Sequence, residues 1–220
     1  MDLQAGELLS ADLDPIDVSE ELGRRYQRLW HELTREEIFQ PAEQRYRIAD
    51  RLRCLNDLGF DADEVELIPS ATGTRLRVRT KVAESGQSSR ELFRQTGISA
   101  EEHQAQRLLN DIASFRAYLE QRDGSPVSQT LAAHRWLEDV YDPVVAAVPD
   151  RLRDRLAPPE IFHEILEHRW YMSEAAGRDV GTTAAAQSYF TTELPTVPPQ
   201  VAAHDDGEAD SLRQPQGQEA

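Results

Sequence analysis

The sequence predicts a mainly α-helical domain with one small antiparallel β-hairpin and a disordered C-terminal tail, on three observations. Apolar residues recur at three- and four-residue steps through most of residues 15–193, the period of helices buried along one face. The period drops to two only from Glu64 to Val82, where Val65 and Leu67, then Leu76, Val78 and Val82, alternate with charged residues around Ser70-Ala71-Thr72-Gly73. Beyond Pro195, a proline-rich link leads into VAAHDDGEADSLRQPQGQEA, which has too little apolar surface to offset the entropy of ordering it.

Residues 1–14 are acidic and weakly patterned. Asp14-Pro15 then supplies a cap and a proline suited to the first helical position, and Val18, Leu22, Tyr26, Leu29 and Leu33 continue as one face. Thr34 with Glu37 has the spacing of a capping box for a short turn through Phe39. Pro41 opens a helix carrying Ile48, Leu52, Leu55 and Leu58, and Gly59 ends it. With Ser70–Gly73 as the hairpin loop, Pro69 faces Thr74. Leu67 then faces Leu76 and Val65 faces Val78 on the buried side, while Glu66 faces Arg77 and Glu64 faces Arg79 on the solvent side. A one-residue slip would set glutamates beside Leu or Val, so one register satisfies both faces. It leaves Arg75 and Lys81 without an acid opposite.

Ser88 with Glu91 caps a short helix ending at Gly97. The longest uninterrupted pattern follows. Ser99 and Glu102 form a capping box, and Ala105, Leu108, Leu109, Ile112, Phe115 and Leu119 share one face up to Gln121 before Gly124 stops the helix. At 1.5 Å per residue it spans roughly 30 Å, enough to cross a small domain and organise the other helices. Ser125-Pro126 launches a helix from Val127 toward Val148, kinked at Asp142-Pro143. Asp150 begins a turn. Pro158-Pro159 precedes a helix with inner row Ile161, Ile165, Met172 and Ala175, ended by Gly177, and residues 182–193 form a last helix before Pro195.

The 220 residues, 39% of them hydrophobic, suffice for one principal core, and no internal repeat is present. A formal net charge of -16 disfavours nucleic acid and anionic membranes as partners. The single cysteine, Cys54, excludes an internal disulfide framework and a multi-cysteine metal site, fits a reducing cytoplasm, and lies beside an apolar row as a structural thiol. There is no signal peptide and no apolar run long enough to span a bilayer.

Three constellations offer chemistry. His163-Glu164-Ile165-Leu166-Glu167-His168 has one residue too many for a zinc-protease motif, because histidines five apart stand about 140° apart around a helix. Glu164 with His168, and Glu160 with His163, remain as a metal candidate, against a plain amphipathic helix with His168 at the core edge. Arg75, Arg77, Arg79 and Lys81 share one strand face and could meet an anion or nucleic acid, although Glu64 and Glu66 can neutralise the row. The Gly177–Thr183 connection could hold an anion beside Arg178, or simply join two helices. Trp136, Trp170 and Tyr171 read as core or interface aromatics.

The strings LNDLGFDADEVEL (55–67), RLLNDIASFRAYLEQ (107–121), HRWLEDVYDPVV (134–145) and EIFHEILEHRWYMSEAAGRDVG (160–181) resemble an uncharacterised actinobacterial family. In it, a helical domain of unknown function sits behind a lipopolysaccharide (Kdo) kinase-like domain. The resemblance implies a helical domain over residues 41–194, residues 1–40 as the junction to an upstream kinase-like domain, and residues 195–220 as an acidic tail. It also implies that this chain is the C-terminal part of a longer architecture or begins at an internal start. No glycine-rich phosphate loop or metal-binding kinase triplet is present, so no catalytic residue and no cofactor is carried over. The expected function is a cytoplasmic, non-catalytic accessory, regulatory or scaffolding domain serving a kinase-like partner in cis or trans. Two alternatives stand beside it: a metal-binding or hydrolytic domain on the Glu160–His168 helix, and anion or nucleic-acid binding through the Arg75–Lys81 strand.

Overall fold

The computed structural model describes residues 15–82 and 86–199; the acidic N-terminal segment and residues 200–220 of the tail expected to be disordered lie outside them, whereas the start of that tail is described and Leu194–Thr196 forms a 3-10 turn. Among the described residues eight α-helices and three strands follow in order: α1 (Pro15–Thr34), β1 (Glu37–Phe39), α2 (Gln44–Asp57), β2 (Phe60–Ser70), β3 (Gly73–Val82), α3 (Gln87–Thr96), α4 (Glu102–Asp123), α5 (Gln129–Trp136), α6 (Asp142–Ala146), α7 (Pro158–Ala176) and α8 (Thr182–Thr192). The mainly helical class with a small antiparallel sheet is as the periodicity predicts.

Helix α4 is the organising element because it is buried on two sides. Leu108, Ile112 and Leu119 join the larger core, with Trp136 of α5, Phe162 and Ile165 of α7, and Tyr189 of α8. Ala117 faces the smaller core, where Ile48 and Leu52 of α2 meet Val65 and Leu76 of the sheet. The small side chains Ala113 and Ala117 let the sheet approach this second face, which the large-residue pattern does not reveal. Leu109, expected in the central row, is only partly buried at the edge of the larger core.

The hairpin has the predicted register, with Leu67 opposite Leu76, Val65 opposite Val78, Glu66 opposite Arg77 and Glu64 opposite Arg79. It begins earlier than predicted, at Phe60, because a bulge between Ala62 and Glu64 shifts the pairing and carries Asp61 opposite Lys81. The sheet also gains a third strand. Glu37–Phe39 is not a capped turn; it pairs antiparallel with β3, Phe39 opposite Thr74. Gly73, at φ +146°, permits this: a Cβ there would stand 2.6 Å from the Phe39 carbonyl oxygen.

Two helix starts differ from the predicted ones. The N-cap of α4 is Glu101, whose backbone N–H donates to Gln104 Oε1 at 3.3 Å. Glu102 instead reaches back to the start of α3, accepting from the Ser88 and Ser89 backbone N–H groups at 3.0 Å each and from Ser89 Oγ at 2.9 Å. Helix α5 begins two residues later than expected, with Ser128 Oγ accepting from the Leu131 N–H at 3.3 Å. The kink at Asp142-Pro143 takes the form of a π-helical turn over Leu137–Tyr141, which absorbs the missing proline N–H.

Among the described residues, α1 meets the rest of the fold toward its C-terminal end. There the Glu32 carboxylate, 15% exposed, accepts from Arg51 of α2, which is 4% exposed. Of the predicted apolar face of α1, Leu29 and Leu33 are partly buried, whereas Leu22 and Tyr26, with the neighbouring Trp30, are 60%, 64% and 60% exposed among the described residues.

Candidate functional site

Helix α7 carries the residues singled out for metal chemistry, and the fold separates them onto opposite sides. His163, 7% exposed, turns toward α4, where its ring meets that of His103 edge-on with centroids 5.3 Å apart. Burial holds its pKa down to about 4; Glu167 works against this, while Arg107 and His103 add to it. Its Nδ1 is buried without a hydrogen-bond partner, so at neutral pH the ring is an uncharged wedge. His168 points the other way, toward α8, with Nε2 2.9 Å from Ser188 Oγ and its ring against Tyr189.

Glu160 and Glu164 share that second side. Burial raises the Glu164 pKa, with Glu167 and Glu160 adding to the shift. Burial likewise raises Tyr189, followed by Glu164 and Glu160. The Glu160–His163 pair thus has its histidine directed away from the Glu164–His168 pair. Among the described residues, no group of three or more His, Cys, Asp or Glu is placed to hold a metal ion.

The fold builds a buried polar cluster that single-segment reasoning missed. Asp111 of α4 accepts from Trp136 Nε1 at 2.8 Å through Oδ2 and from Arg169 Nη1 at 3.5 Å through Oδ1. Arg169 Nη1 also donates to Thr182 Oγ1 at 2.9 Å, and its Nε lies 3.8 Å from Asp179 Oδ1. Burial lowers the Arg169 pKa, with Asp111 opposing the shift. Asp179 Oδ1 also accepts from the Gly181 N–H at 3.2 Å, and Ser173 Oγ accepts from the Val180 N–H at 3.2 Å. An internal carboxylate thus takes an amide in the connection where an anion was considered, and Arg178 is exposed there.

Three of the four basic residues of the β3 row are ion-paired. Arg77 lies 3.2 Å from Glu66 and Arg79 3.2 Å from Glu64, as predicted from the register. Arg75, expected without an acid, lies 3.5 Å from Glu36, and Lys81 stands opposite Asp61 across the bulged ladder. Cys54 is partly buried with Sγ 3.7 Å from Glu32 Oε2; burial and then Glu32 raise its pKa, favouring the thiol.

A cavity of about 190 Å³ opens between the hairpin and helices α3 and α4. Val65, Leu109 and Ile112 give it an apolar lining, with Asp61, Glu91 and Gln95 among its polar groups. Asp61 Oδ1 accepts from Gln106 Nε2 at 2.6 Å. Gln95 donates to Glu91, while its own Oε1 is buried without a partner. The hydrogen bond from Arg94 holds Glu91 below the usual carboxylate range. These residues come from three separate elements, β2, α3 and α4, so no motif could have grouped them.

A family model described as Domain of unknown function (DUF4032) matches residues 28–194. No curated protein matches the chain. No solved structure matches it either.

Proposed function

The chain belongs to the family of the Domain of unknown function (DUF4032), and from that premise we propose that it is a non-catalytic accessory domain, docking or regulating a kinase-like partner in cis or trans in the cytoplasm. One observation supports this most. Residues that could perform chemistry are engaged in holding helices together: Arg169 with Asp111, Arg107 with Glu167, and His168 with Ser188. Such arrangements make a rigid body, which suits a module that presents a surface. Among the described residues, no helix is long and apolar enough to cross a membrane.

The test is reconstitution. The purified chain is mixed with a kinase-like domain of the lipopolysaccharide-kinase type from the same genome, and co-elution and ATP-dependent phosphoryl transfer are measured. The expected result is a complex at micromolar concentration and a phosphoryl-transfer rate changed several-fold. A chain that neither co-elutes nor alters the rate, yet purifies with stoichiometric metal lost on changing Glu164 and His168, would support the metal-binding alternative instead.

A further inference from the structure

The cavity between the hairpin and helices α3 and α4 is larger than the voids that close packing leaves in a protein interior, and its wall divides by chemistry. Val65, Ile112 and Ala113 supply an apolar side, with Val65 and Ile112 only 6% and 3% exposed. Two acceptors accompany it. The first is on Gln95. Arg94 Nε donates to Glu91 at 2.9 Å and holds that carboxylate ionised, so Glu91 can only accept. Gln95 therefore presents its NH2 group to Glu91, which fixes the other end of the amide as Oε1, buried with no partner among the described residues. The second acceptor is Asp61. Its Oδ1 accepts from a neutral donor, Gln106 Nε2, at 2.6 Å, and no arginine or lysine nitrogen of the described residues lies within 4.0 Å of its carboxylate. Other charges of the wall are matched: Glu64 by Arg79 at 3.2 Å, Glu91 by Arg94, and Arg116 by Glu120 at 3.1 Å. Lys81, opposite Asp61 in the ladder, is exposed at the rim.

We propose that this cavity binds a small primary ammonium compound with an apolar body, either a free amine or an α-amino acid. An ammonium group brings three donors and no acceptor, which suits a buried amide oxygen and a carboxylate without a cation beside it. The body meets Val65, Ile112 and Ala113. A neutral alcohol supplies a single donor and leaves Asp61 unmatched, while an anion without an ammonium group adds charge beside Asp61, Glu64 and Glu91. Size narrows the class further. Sites for drug-sized ligands measure about 300–1,000 Å³, so a cavity of about 190 Å³ admits a fragment such as one aromatic ring on a short chain. The two sources differ by one carboxylate, which in the amino acid meets Lys81. This site is independent of the kinase-like partner, since every group in it belongs to the chain itself.

The experiment is isothermal titration calorimetry of the full chain at neutral pH with phenethylamine, L-phenylalanine and 2-phenylethanol, which share one aromatic body. Salt at about 0.15 M screens the loose attraction of any cation to a chain of net charge -16. The expected result is one site per chain with a dissociation constant of about 0.1–1 mM for an ammonium compound, and binding of the alcohol at least tenfold weaker. Asp61→Asn, which can still accept from Gln106, weakens the ammonium compound at least tenfold and leaves the melting temperature unchanged. Leu109→Trp, at a half-buried position in the wall, fills the cavity and abolishes binding. Lys81→Met separates the sources. Where L-phenylalanine is the tighter ligand, this variant brings it down to the level of phenethylamine and assigns the amino acid; where phenethylamine is tighter, it weakens neither and assigns the free amine. No binding of either ammonium compound at about 10 mM, binding of the alcohol as tight as theirs, or an affinity that survives either Asp61→Asn or Leu109→Trp would overturn the proposal.

Discussion

Removing the His163 ring nitrogens should change how stability depends on pH more than stability itself. Burial lowers the folded-state pKa of His163 to about 4 from an ordinary 6.5, so below pH 6.5 the unfolded chain binds a proton that the folded chain refuses. The free energy of unfolding therefore falls as the pH drops through this window and is undiminished above it. The full shift corresponds to about 3 kcal/mol at 1.36 kcal/mol per unit, of which about 2 kcal/mol is lost between pH 7 and pH 5. His163→Phe fills nearly the same space, removes the unpartnered Nδ1 and abolishes this linkage. The other groups facing the ring, Glu167, Arg107 and His103, remain in both proteins. The raised pKa of Glu164 has the opposite sign, relieving an unfavourable charge as the pH falls, and it too is shared, so it largely subtracts. The assay is urea unfolding followed by fluorescence of the buried Trp136 at pH 5, 6, 7 and 8. Wild type minus variant should fall by about 2 kcal/mol from pH 7 to pH 5. A difference constant to within about 0.5 kcal/mol would refute the claim that a buried neutral His163 couples folding to protons.

Asp111→Asn removes the charge facing the buried Arg169 and should cost about 3–5 kcal/mol by thermal denaturation, with Arg169→Met added to it recovering part of the loss. Gly73→Ala drives a methyl group toward the Phe39 carbonyl oxygen at a left-handed backbone position. It should cost about 1–3 kcal/mol in chemical denaturation and weaken amide protection in β1 before β2. Ile112→Ala, at a site only 3% exposed, should cost about 2–5 kcal/mol, and Leu109→Ala, half-buried beside the cleft, clearly less; equal losses would contradict the observed face of α4.

The hairpin was legible because its information is local. The period of two assigns Leu67, Val65, Leu76 and Val78 to one face and Glu66, Glu64, Arg77 and Arg79 to the other, and one register satisfies both. Helix ends at Gly59, Gly97, Gly124 and Gly177 were legible for the same reason, since each glycine takes a positive φ that other residues resist. Strand β1 was not legible. Three residues carry no period, and Glu37–Phe39 becomes a strand only because β3 offers it an edge and Gly73 leaves room. The cap on α3 was misassigned because the carboxylate that meets Ser88 and Ser89 is Glu102 of the next helix, and sequence spacing within one helix cannot reveal a cap supplied by another.

The candidate site divides in the same way. The sequence by itself determined that His163 and His168 cannot share a helix face, because five residues at 3.6 per turn place them apart whatever surrounds them. Only the tertiary structure decided what each meets, His103 for one and Ser188 with Tyr189 for the other. It alone joined Asp111, Trp136 and Arg169, which lie on three helices and whose pairing offsets a burial no single segment discloses. Among the described residues it also left Leu22, Tyr26 and Trp30 of α1 exposed. Periodicity states which side chains a helix gathers together, whereas burial depends on whether another element reaches them, and that is settled by packing over the whole chain.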